Sequence, residues 1–129
     1  MNDEMTEEGG VIKKFMFVNR SAPYGTVYAL ESLEVVLISA AFEQDACVLF
    51  ADDGVFQIKK GQNTDALGMK NFSPTYRALE MYDVEKLYVD KDSMEARGLT
   101  EDDFIVDVEV KTSAEITSMM EDMDMVLNY

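Results

Sequence analysis

Cys47 is the one thiol among 129 residues, and the chain contains no histidine. A thiol reacts as its thiolate, which needs an accessible, electropositive setting or a neighbouring base. Without an imidazole, the Cys-His and Ser-His-Asp mechanisms are excluded, and a metal site would lack the commonest ligand. Cys47 sits second in Ala46-Cys47-Val48-Leu49-Phe50-Ala51, an unbroken apolar run with no base beside it. Burial raises a thiol's pKa, so the residue reads as inert core filling, with a sulfur-carrier thiol as the alternative. The run stops at Asp52-Asp53-Gly54. Two carboxylates could hold a cation or serve as acid and base, but neighbours at a strand end point apart, so a turn-and-cap role is the simpler reading. A phospho-receiver would also need an acidic pair after the first strand, where Asn19-Arg20 stand. Asn19 to Thr26 puts glycine, serine and threonine before a helix start and could cradle a small anion. It lacks a GxGxxG or P-loop spacing, so a structural turn is the favoured reading.

The elements that must position these residues alternate along the chain. Phe15 to Val18 is a short apolar strand. Thr26 to Phe42 reads as a helix, with Leu30, Leu33, Leu37 and Ala40 on one stripe and little polar surface opposite, which calls for cover on more than one side. The run from Ala46 reads as a central strand buried on both faces. Gly54 to Gly68 reads as a long loop with a short helical turn. Ser73-Pro74 opens a helix through Tyr76, Leu79 and Tyr82, and Lys86 to Asp90 is a third strand. Asp92-Ser93-Met94-Glu95 is a capping-box pattern for a short helix closed by Gly98. Phe104 to Val110 alternates as a half-exposed edge strand. Thr112 to Glu115 is a second capping box before the stripe Ile116, Met119, Met120, Met123, and Met125 to Leu127 is a last strand. This order predicts an α/β fold with a doubly wound, mostly parallel sheet of about five strands.

Composition bounds the partners. Twenty-six acids against 11 bases give a net charge of −15, which repels nucleic-acid backbones and anionic membranes. No run approaches the roughly 18 apolar residues of a membrane span. Residues 1–12 read as a disordered acidic extension, with no basic flank or apolar segment of a signal peptide, so a cytoplasmic location is expected. No cofactor and no metal are expected. The ten methionines and six tyrosines suit core and adaptable subunit contacts, with Tyr24, Tyr28, Phe56, Met69, Phe72 and Tyr76 as interface candidates.

Longer stretches carry a family resemblance. Lys14 to Thr26 (KFMFVNRSAPYGT), Asp52 to Gln57 with Lys60-Gly61-Gln62, Lys70 to Tyr76 (KNFSPTY) and Glu95 to Leu99 (EARGL) resemble the DsrF/TusC family of sulfur-relay proteins, leaning towards its DsrF side. The similarity runs from about Lys13 to the C-terminus. It implies a three-layer DsrE-like fold over 13–129 and a hetero-oligomer with two homologous siblings, of DsrE/TusD and DsrH/TusB type, two copies of each. Such an assembly passes persulfide sulfur between carriers of the TusA and DsrC/TusE types, for sulfur oxidation or for tRNA 2-thiouridine synthesis. In the sulfur-carrying sibling, the acceptor cysteine resembles a residue at the end of the third strand, before a short helix finishing in Arg-Gly. Aligned by Arg97-Gly98, this chain has Asp90 there, and a carboxylate cannot form a persulfide. The resemblance thus implies a non-catalytic structural subunit.

Overall fold

The structure, a computed structural model, describes residues 12–20, 35, 44–59 and 86–129. Strands β1 (Lys14–Asn19) and β2 (Asp45–Phe50) lead into a 3-10 helix, η1 (Asp52–Ile58). Then follow β3 (Leu87–Asp90), α1 (Lys91–Ala96), a 3-10 turn η2 (Glu101–Asp103), β4 (Glu109–Lys111), α2 (Ser113–Glu121) and β5 (Met125–Asn128). The strands form one parallel sheet in the order β4-β3-β2-β1-β5. The apolar run of Cys47 is therefore its middle strand.

Strand alternation divides this run between two cores. Phe17, Ala46, Val48, Phe50, Leu87 and Val89 face one side, where η1 supplies Val55 and Ile58 and α1 supplies Met94. Met16, Val18, Cys47, Leu49 and Ala51 face the other, under Ile116 of α2 with Met119, Met120 and Met123 packed around it. Chain direction explains the split. From β1 to β4 the chain steps one way across the sheet, whereas β5 returns to the far side of β1. A right-handed crossover in the reverse direction must run over the opposite face, which is where α2 lies. The result is the expected three-layer α/β architecture.

Three local expectations are revised. The short helix begins at Lys91 with Asp90 as its N-cap, so Asp92 lies inside the first turn and accepts a bond from Ser113 Oγ at 3.0 Å. The edge strand shrinks to Glu109–Lys111. Its predicted first half turns away because Phe104 and Val106 are buried against the first core, with Phe104 bridged antiparallel to Lys59 and Ile105 N–H donating to Ile58 O at 2.8 Å. The residues after Asp52 wind into a 3-10 helix of seven residues, where a loop with a brief turn was expected. Other signals hold: Gly98 closes α1 at φ +69°, and Thr112 and Glu115 exchange both capping-box bonds. Val35 is helical and packs on the first core. The rest of the Thr26–Phe42 helix, the helix opened by Ser73-Pro74 and residues 1–11 of the acidic extension lie outside the described residues.

Candidate functional site

In parallel sheets, sites form beyond the carboxyl ends of the strands. Here that rim is drawn together by one close approach. A Cβ on Gly54 would stand 1.8 Å from Asn19 O, so only glycine lets η1 lie against the end of β1. The residue that turns the chain there, Asp52, takes a left-handed backbone at φ +50°, a conformation aspartate tolerates better than most. Its N–H donates to Ser93 Oγ at 2.8 Å, and Ser93 Oγ donates to Asp90 Oδ2 at 2.5 Å. Asp90 thus acts through a buried serine on Asp52, the second residue after β2.

Two arginines complete the rim. Arg20 Nη1 donates to Asp52 Oδ2 at 3.1 Å, its Nε to Asn128 Oδ1 at 3.2 Å, and its backbone N–H to Tyr129 O at 2.8 Å. Arg97 grips Asp53 Oδ1 with Nε and Nη2 at 3.1 and 3.0 Å, while its Nη1 reaches Ser93 O at 3.1 Å. Beneath them, Asn19 Nδ2 donates to Gln57 Oε1 at 3.4 Å, both side chains being buried. Asp52 and Asp53 therefore diverge, each to its own arginine. Both carboxylates are more than half exposed, so each ion pair contributes at most about 1 kcal/mol. The pairs set geometry more than they set stability.

The chemistry of this cluster is that of a clasp. Ser93 has a carboxylate within reach, but a carboxylate is far too weak a base to ionise a serine hydroxyl. Moreover, the Ser93 oxygen already accepts the Asp52 amide. Sequence reasoning pointed to Asp90 and to the Asp52–Gly54 segment but gave Arg20 and Arg97 no role. A visible clue was that each arginine adjoins a chain reversal, Arg20 directly after β1 and Arg97 directly before Gly98.

Cys47 lies elsewhere. It is 3% exposed, on the α2 side of the sheet, and burial pushes its thiol up to about 12, with Asp45 adding to the rise and Lys86 opposing it. The residue is among those lining a cavity of about 240 Å³, with Lys14, Lys86, Tyr88, Met119 and Met123. Two ammonium groups there are engaged: Lys86 pairs with Asp45 at 2.9 Å, and Lys111 pairs with Glu109 at 3.2 Å while sitting 5.7 Å from the Tyr88 ring centre. Because Leu49 pairs with Tyr88, Cys47 and Asp90 stand about four residues apart along the sheet, roughly 13 Å at ~3.3 Å per residue. The structure does not bring them into one site. Phe56 is half-buried against the first core, and the interface candidates Tyr24, Tyr28, Met69, Phe72 and Tyr76 lie outside the described residues. Among the described residues no group of acids and cysteine is arranged to hold a metal, and no helix is long and apolar enough to cross a membrane.

Residues 13–129 match the model of the DsrE/DsrF-like family. The chain belongs to that family. It is 54% identical to the intracellular sulfur oxidation protein DsrF of Allochromatium vinosum, an alignment covering 92% of this chain and 98% of that protein. A TusC homolog of Vibrio vulnificus is 28% identical over 92% of this chain and 100% of its own length. Among solved structures, the ychN protein of E. coli shares the fold at a TM-score of 0.78 and 23% identity, covering 92% of this chain and 100% of that one. In this chain a carboxylate clasp stands at the strand ends and the thiol is buried at a distance.

Proposed function

We propose that this chain is a subunit of a sulfur-relay complex of the DsrEFH/TusBCD type and contributes structure to it rather than a sulfur-accepting thiol. The observation that carries the reading is chemical. Asp90, at the end of β3 before Arg97-Gly98, is a carboxylate tied to Ser93, and a carboxylate has no sulfur to extend into a persulfide. Membership of the DsrE/DsrF-like family and 54% identity to a protein named for sulfur oxidation supply the context. That identity, against 28% to a TusC homolog, favours sulfur oxidation over tRNA thiolation as the pathway served.

The partners in this reading are a DsrE/TusD-like and a DsrH/TusB-like subunit, two copies of each, with DsrC/TusE-like and TusA-like carriers docking on the assembly. A cytoplasmic location fits such partners. Co-expression with the neighbouring DsrE-type and DsrH-type genes followed by native mass spectrometry should give a hetero-oligomer. A lone monomer that ignores both would sink the reading. The competing reading, in which Cys47 itself carries sulfur, has against it a buried thiol held at about 12. Exposure of the folded chain to polysulfide should leave the Cys47 peptide at its unmodified mass, and a gain of one sulfur there would reverse the assignment.

A further inference from the structure

The two edges of the sheet are built differently. β4 has three residues, two of them charged, Glu109 and Lys111, held to each other at 3.2 Å. Short, charged edges are those that resist strand addition. β5 at the other edge is Met125-Val126-Leu127-Asn128, with neither charge nor proline, and among the described residues only β1 pairs with it. Met125 is 49% exposed, the one large hydrophobic side chain so exposed among the described residues.

The pairing register says which groups are on offer. Asp124 N–H donates to Lys14 O at 2.9 Å on the β1 side. Met125 to Asn128 pair in order with Phe15 to Val18, and successive backbone groups alternate sides, so the N–H and C=O groups of Met125 and Leu127 face β1 and those of Val126 and Asn128 face away from it. Beyond them Tyr129 N–H donates to Val18 O at 2.9 Å. Five steps from Asp124 to Tyr129 thus match four along β1, and because Met125 to Asn128 pair one for one with Phe15 to Val18, the extra residue lies at the entry and leaves Met125 to Asn128 as the straight, pairable stretch.

We infer that this edge of β5 receives an extended segment of a partner protein by strand addition, and that the segment carries lysine or arginine beside its pairing residues. Charge decides the occupant. Glu121, Asp122 and Asp124 are exposed at the entry to β5, and a second copy would bring an equal set and another net charge of −15 against them. A basic segment meets those carboxylates while its backbone completes the sheet.

The inference rests on the hetero-oligomer reading, and one experiment separates them. Amide hydrogen exchange is compared between the isolated chain and the complex obtained by co-expression. The Val126 and Asn128 amides should exchange at least tenfold more slowly in the complex. Val126→Pro removes one outward N–H from an edge strand, where proline is tolerated, and should weaken assembly at least tenfold while the isolated chain keeps its cooperative unfolding. A complex that forms with these amides no better protected overturns strand addition and leaves the subunit reading standing. Failure to form any complex overturns both. Protection that rises with concentration in the isolated chain means a second copy fills the edge, which also overturns the inference.

Discussion

Gly54 and Cys47 are single residues whose neighbours determine what a substitution costs. At Gly54 the obstacle to a side chain is the backbone oxygen of Asn19, 1.8 Å from a built Cβ, and backbone cannot swing aside as a side chain can. Gly54→Ala is expected to cost about 3 kcal/mol or more, read from urea unfolding, because η1 and the end of β1 must separate. Cys47 makes a prediction in pH. Its folded pKa of about 12 lies above the 9.0 of an unburied thiol, so the folded state holds its proton longer. The resulting stability is complete below pH 9 and is lost as pH rises from 9 towards 12, with a slope of up to about 1.4 kcal/mol per pH unit. Unfolding measured across that window should show the natural chain losing stability relative to Cys47→Ala, and equal slopes would mean a normal thiol.

At the scale of elements, α2 is stapled to the sheet by its cap and its apolar stripe. Thr112 Oγ1 accepts from Glu115 N–H at 3.3 Å, and Thr112 N–H donates to Glu115 Oε1 at 3.1 Å. Thr112→Ala should cost about 1 kcal/mol, seen as a lower Tm with the fold retained. The bonds from Thr112 hold the Glu115 carboxyl below its usual range. The staple is therefore intact above the ordinary glutamate pKa and loosens as pH falls through the lowered value, which faster amide exchange in α2 would register. This element was legible in sequence, because capping box and stripe are both local patterns. So were β2 and the layer arrangement, since an unbroken apolar run and strand-helix alternation each have few structural solutions. The Phe104–Val110 strand was misread for a reason of the same kind: Phe104 and Val106 alternate as a strand would, yet are buried by contact with η1 and its exit, a non-local partner that periodicity cannot show. The helix start at Lys91 was missed because Asp90 and Asp92 are both acceptable caps and the end of β3 decides between them. The rim was half legible. Its carboxylates and serine stood in loops where ligands bind, but the matching of Arg20 to Asp52 and of Arg97 to Asp53 spans 32 and 44 residues.

For the whole molecule, charge is the governing quantity. A net −15 on 129 residues works against compaction through self-repulsion, and added salt screens it. The Tm should rise between low ionic strength and about 0.5 M salt, the reverse of what a fold held by its exposed ion pairs would show. The same field favours positively charged companions and discourages self-association, so the isolated chain should sediment as a monomer while its hetero-oligomer weakens with salt.

The return of β5 to the outer side of β1 sets a timetable for synthesis. Lys14 N–H is bonded to the Asp124 carboxylate, 110 residues later, and the intervening chain must be made before β1 acquires its second neighbour. On the ribosome, an emerging chain can assemble β1 to β4 but leaves Met16, Val18 and Leu49 without the cover of α2 until the last helix clears the exit tunnel. Those methionine- and leucine-faced strands are then the surface that a trigger-type chaperone would find, and stalling late in translation is the moment of greatest exposure to aggregation.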